Sequence, residues 1–102
     1  MIHVIATVEV APGKMAEYLT LFKKNVPNVK AEKGCVAYAP TVDVASGFPI
    51  QPPLRKEVVV IIEAWESLDA LKAHLATPHM AAYFEASKSL TRGVSLQVQK
   101  DA

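Results

Sequence analysis

With a single cysteine, Cys35, the chain has no means of forming an internal disulfide or a site built on two or four thiolates. Its longest purely aliphatic run, Val58 to Ile62, falls far short of the ~18 apolar residues that a membrane-spanning helix needs. No block of like charge occurs: eleven basic residues stand against ten acidic ones, for a formal charge of +1. Such a balance leaves no footprint for nucleic acid or for an anionic membrane surface; Lys23-Lys24 and Arg55-Lys56 are the densest basic spots. The GxGxxG and GKS/T segments that cradle dinucleotide and nucleotide phosphates are absent, as is the HExxH pair of zinc hydrolases. Met1 to Ala6 lacks the basic start and small-residue cleavage site of a secretory leader. These absences lead to the expectation of a cytoplasmic protein that carries no flavin, haem or metal.

What is present is a globular composition, 51% apolar and 21% charged over 102 residues, room for one domain spanning residues 1–102 around one core. Ile2, Val4, Ala6, Val8 and Val10 alternate with His3, Thr7 and Glu9, the period of a strand with one buried face. Ala11-Pro12-Gly13 breaks that pattern. From Met15 the period changes: Met15, Tyr18, Leu19, Phe22, Val26 and Val29 form a helical stripe opposite Lys14, Glu17, Lys24 and Lys30. Pro27 is expected to kink this helix or restart it, and Gly34 to cap its end. A second strand begins at Cys35 and contains Pro40, which marks an edge position or a bulge. Ser46 to Pro53 holds three prolines and reads as an ordered loop whose Phe48 and Ile50 fold over something.

Lys56 to Trp65 is dense in β-branched residues and predicts a third strand. Ser67 is a good N-cap for the next helix, whose stripe is Leu68, Leu71 and Leu75. Thr77-Pro78 is a second start signal, a cap followed by proline at the first helical position. That helix carries Met80, Tyr83, Phe84, Ser87 and Leu90 and is expected to end at Arg92-Gly93, before a last strand with Val94, Leu96 and Val98 on one face. The order is β-α-β-β-α-β with the second helical region in two pieces, an α+β, ferredoxin-like arrangement with an antiparallel sheet. The third strand is apolar on both faces, Val58, Val60, Ile62 and Ala64 on one and Val59, Ile61 and Trp65 on the other. Helices sufficient for one face leave the other to be covered, and a homodimer is the simplest cover.

The stretch from Glu63 to Met80 contains Glu63-Ala64-Trp65, a short helix, His74, and the turn Thr77-Pro78-His79. With Pro12-Gly13-Lys14 after the first strand and Gly34 leading to Tyr38, it resembles the antibiotic-biosynthesis-monooxygenase family over nearly the whole chain. The resemblance implies a dimeric α/β barrel. It also implies a cofactor-independent monooxygenase acting on a small aromatic or quinol-like substrate, with the chemistry residing mainly in an electron-rich deprotonated phenol. Two alternatives stand beside it. The branch that isomerises a small phosphorylated carbonyl compound keeps the pair seen here as His74 and His79, but has tyrosine in place of Trp65. Some stress-responsive dimeric barrels of the same scaffold only bind ligands. The haem-degrading branch carries an asparagine near Thr7, a departure that speaks against haem cleavage here.

Among single residues, His79 sits in a first helical turn, where the free N–H groups and the dipole favour a neutral imidazole. Such a ring suits a base for a phenolic proton, or else it only closes the turn by hydrogen bonding. His74 stands five residues earlier and either shares the pocket or caps the preceding helix. Trp65 at the end of its strand offers a wall for a flat ring or a core filler. Glu63 shares its face and is costly there unless paired. Tyr38 and Tyr83 offer hydroxyls to a substrate, and Arg55 a cation for an anionic substituent. His79, Trp65 and His74 are together expected to face one pocket between sheet and helices.

Overall fold

In a computed structural model of the chain, which describes residues 1–102, the elements follow the expected order. They are β1 (Ile2–Val10), α1 (Met15–Lys30), β2 (Cys35–Thr41), β3 (Val58–Trp65), α2 (Leu68–Leu75), α3 (Pro78–Ser87) and β4 (Thr91–Lys100). The four strands form one antiparallel sheet in the order β2-β3-β1-β4. This is the α+β, ferredoxin-like arrangement. No helix is long and apolar enough to cross a membrane.

Register explains the core. Val4, Ala6 and Val8 on β1 lie opposite Glu63, Ile61 and Val59 on β3, and directly opposed residues share a face. That face carries the buried set Val4, Ala6, Val8, Val10, Val59, Ile61 and Trp65, onto which α1 packs Tyr18, Phe22 and Val29. The other face holds Ile5, Val58, Val60, Ile62 and Ala64; four of these are half-buried and Ile62 is exposed. The two-sided apolar character of β3 is therefore real, and one side has no layer over it. On β4, Val94, Leu96 and Val98 pair with Val8, Ala6 and Val4. They share the helix-side face yet are exposed, because the helices do not reach across that edge.

Local signals placed the caps well. Ser67 accepts the Ala70 N–H and Thr77 accepts the Met80 N–H, with Pro78 opening α3. Pro40 lies on the edge strand β2, which also carries an irregular register between Cys35 and Ala37. Gly34 has a positive φ of 87°, and a Cβ there would stand 2.6 Å from the Ala70 Cβ, so the α1–β2 turn lies tight against α2.

Several expectations need correction. Pro27 does not restart α1, which runs on to Lys30 as one helix; in the last turn proline costs a single intrahelical N–H bond. The cap is Ala31, with Gly34 three residues beyond it. Helix α3 stops at Ser87, because Leu90 N–H turns back to the Ser87 carbonyl at 2.9 Å. Arg92 and Gly93 consequently lie inside β4. Strand β3 starts at Val58, after Glu57 enters the left-handed region at φ 56° and gives its carbonyl to Val10 N–H. The loop after β2 does not bury its apolar residues: Phe48 and Ile50 are 70% and 94% exposed. Polar bonds hold it instead, through Gln51 to Ser46 and Val44 and through Arg55 to Asp43.

Candidate active site

Glu63 and Trp65 stand two residues apart on β3, so their side chains emerge on the same, helix-covered face. Trp65 is fully buried, and its indole Nε1–H donates to Glu63 Oε1 at 3.0 Å. This is the partner that a buried glutamate requires. Burial still pushes the Glu63 carboxyl above its ordinary range, and the indole N–H offsets part of that rise.

Two helix ends deliver the histidines. His74 lies in the last turn of α2 and is buried, its ring centroid 4.6 Å from Trp65 and 5.5 Å from Tyr38, edge-on to the latter. His79 follows Pro78 in the first turn of α3 and remains partly exposed. The Thr77 hydroxyl donates to the His74 carbonyl at 2.9 Å and accepts the Met80 N–H, tying the end of α2 to the start of α3. Between the rings stands Glu32, just past the end of α1. Its Oε2 accepts from His74 Nδ1 and from His79 Nε2, each at 2.9 Å.

A cleft of about 100 Å³ opens beside this cluster, floored by Ala6, Val8 and Ile61 and roofed by Leu75, Met80 and Phe84. His74, Glu63, Tyr38, Tyr83, Ser87 and Thr91 bring polar atoms to its otherwise apolar wall. Every fully buried side-chain nitrogen and oxygen has a hydrogen-bond partner. His74 Nε2 and the Tyr38 hydroxyl make no hydrogen bond, so neither is sealed in, and the cleft is the space their side chains border. The Tyr83 hydroxyl is 2.6 Å from that of Tyr18. Burial raises the phenols of Tyr18, Tyr38 and Tyr83, which keeps them neutral and able to donate. A larger hollow of about 540 Å³ between α1 and the end of α3 is an open trough with no histidine.

Glu32, His74 and His79 each offer one ligand atom, all within 4.8 Å of one another, so a divalent metal could be held by these three. As arranged, the two ring N–H groups and the carboxylate satisfy one another.

The family model described as antibiotic biosynthesis monooxygenase matches residues 1–86. The chain belongs to this family. Among its relatives, the protein called "Probable quinol monooxygenase YgiN" of Escherichia coli (strain K12) is 47% identical over 90 residues, 86% of each chain. The fold recurs in a crystal structure of an antibiotic biosynthesis monooxygenase, with TM-score 0.80 and 24% identity over 100% of this chain and 99% of that one. It recurs also in PA3566 from Pseudomonas aeruginosa, with TM-score 0.81 and 23% identity over 99% and 93% of the two chains.

In this member of the family, four of the expected site residues line the cleft and three do not. His74, Glu63, Tyr38 and Tyr83 line the cleft. Trp65 lies behind it, under the His74 ring, rather than forming its wall, because the edge of β3 is packed over at that point. His79 does not border the cleft either: its Nε2 is committed to Glu32. Trp65, His74 and His79 do not face one pocket, although Glu32 and ring contacts connect them. Arg55 is absent from the cleft; its guanidinium holds Asp43 across the base of the loop and pulls that carboxyl down to about 2. His3 pairs with Asp101 on the exposed side. Glu32 was not singled out in the sequence. It stands between Ala31 and Lys33, where an acidic residue reads as a solvated turn, and no local pattern marks it.

Proposed function

We propose that this protein is a cofactor-independent monooxygenase of a small quinol-like aromatic compound, acting as a homodimer. The observation that carries the reading is the narrow apolar cleft bordered by His74, whose Nε2 makes no hydrogen bond, and by the neutral phenol of Tyr38. A cavity of ~150 Å³ takes up benzene, so a cleft of about 100 Å³ bordered by Val94 and Leu96 of β4 is on the scale of a single ring. The name of the Escherichia coli relative supports a quinol as substrate.

His74 Nε2 takes the phenolic proton, and the Tyr38 hydroxyl donates to the oxyanion left behind. The electron-rich ring then passes an electron to O₂, and the two radicals combine at a ring carbon. Loss of water completes the reaction. For a hydroquinone the balance is one substrate and one O₂ giving one hydroxyquinone and one water. The substrate supplies all four electrons, and one oxygen atom enters the product. The apolar wall orients the ring and excludes bulk water. The cleft lining contains no lysine or arginine, so a phosphorylated carbonyl substrate would meet no cation there. That weighs against the isomerase reading.

Purified protein supplied with a panel of hydroquinones should consume one O₂ per substrate, and ¹⁸O₂ should place one labelled atom in the product. Oxygen uptake no faster than autoxidation across the whole panel would sink the reading. Saturable binding of the same compounds without turnover would favour a binding protein.

The uncovered sheet face bearing Ile5, Val60, Ile62 and Ala64 is the proposed dimer surface, and closure of the barrel follows from two such sheets meeting. Light scattering at micromolar concentration should give about twice the 11.0 kDa chain mass. A clean monomer would overturn the dimer.

A further inference from the structure

We infer that Glu32 and His79 are positioning residues that hold His74 in the tautomer with its proton on Nδ1, leaving Nε2 as the acceptor that opens on the cleft. The inference rests on the reading of His74 as the base. An ionised carboxylate has no hydrogen to give, so both rings must donate to Glu32 Oε2. For His74 that places the proton on Nδ1, and a neutral imidazole then carries its lone pair on Nε2.

No other neighbour of the ring makes this choice. Trp65 and Tyr38 touch His74 through ring faces and edges, at centroid distances of 4.6 and 5.5 Å. Such contacts restrain the ring plane but do not distinguish one nitrogen from the other. The Thr77 hydroxyl engages the His74 backbone only. The carboxylate alone selects the tautomer, and it must itself be held. Glu32 is in a turn, anchored by its N–H to the Val29 carbonyl and by its carbonyl to the Cys35 N–H, while its side chain has several rotatable bonds. His79 supplies the restraint. Pro78 and the Thr77 cap fix the start of α3, and from there His79 Nε2–H meets the same oxygen that His74 uses. Glu32 is thereby pinned by donors from two helices that Thr77 ties together. A histidine that never borders the cleft thus governs the one that does.

The test reads the tautomer directly. In ¹⁵N-histidine-labelled protein at pH 8, long-range ¹H–¹⁵N correlation should show His74 protonated on Nδ1 and His79 on Nε2. In Glu32→Ala, His74 should become a mixture of both forms. On a quinol turned over by the wild type, kcat should fall on the order of 100-fold while KM changes less than about twofold. His79→Ala should move both readouts the same way, with kcat down roughly tenfold. Glu32→Gln keeps an acceptor oxygen and should restore much of the tautomer and part of the rate; it also serves if the alanine variant does not fold.

His74 protonated on Nε2 in the wild type would overturn the inference. So would an unchanged tautomer and rate in both Glu32→Ala and His79→Ala, or zinc retained stoichiometrically through dialysis by the wild type and lost in Glu32→Gln. If no quinol is turned over but the tautomer is fixed in the wild type and lost in Glu32→Ala, the positioning stands and the oxygenase reading falls.

Discussion

His74→Ala should lower quinol-dependent oxygen uptake by about two to four orders of magnitude, the range that a general base contributes. The expectation follows from position: His74 is the only histidine bordering the cleft, and its Nε2 has no competing partner. Because the ring is buried against Trp65, alanine also leaves a hole, and lost activity alone would not separate chemistry from packing. Two further measurements do. His74→Asn refills part of the space with polar atoms but supplies no base, and it should be as inactive as alanine. Added imidazole should restore measurable turnover to His74→Ala and none to His74→Asn, since only the former has room for it. Full turnover in His74→Asn alongside an inert His79→Ala would transfer the base to His79, the residue that its place in a helical first turn singles out from sequence.

Trp65→Ala should cost about 3–5 kcal/mol of stability. That is a large share of the roughly 5–15 kcal/mol that holds a typical domain together. Trp65 is among the largest fully buried side chains and supports His74 from beneath. The milder Trp65→Phe separates packing from the bond to Glu63. In the folded chain burial raises the Glu63 carboxyl, so the folded state holds that proton to a higher pH than the unfolded chain does. Stability from this group is greatest in acid and declines as pH rises through the folded value, where a buried anion must be carried. The indole N–H lessens that burden, and phenylalanine cannot. Urea unfolding should therefore show a loss for Trp65→Phe that is modest at pH 4, where only packing is missing, and larger at pH 8. An equal loss at both would mean that the indole–carboxyl bond contributes nothing net. Both variants should weaken turnover indirectly, by loosening His74, since Trp65 does not border the cleft.

The site and the fold differ in how far they can be read along the chain. Ser67, Thr77-Pro78 and Pro40 announce their roles because capping and edge placement depend on neighbours a few residues away. The alternation in β1 and the stripe of α1 are equally local, as is the doubly apolar β3 that predicts an uncovered sheet face. Motif resemblance reached the family as well, since the segment from Glu63 to Met80 is continuous. Where local rules competed with a tighter tertiary arrangement, boundaries shifted, as at Ser87 and Glu57.

Glu32 marks the limit. It is 42 residues from His74 and 47 from His79, and its carboxylate gains meaning only when the ends of three helices converge. The same holds for Arg55, whose cation is claimed by Asp43 at the foot of a loop, and for Trp65, whose burial depends on what α2 lays over the end of β3. The sequence by itself determined the elements, their order, the N-caps of α2 and α3 and the family, because each rests on periodicity or on contacts within one turn of the chain. Only the tertiary structure decided which histidine borders the cleft and that both meet Glu32, because hydrogen-bond geometry is set by how distant segments pack.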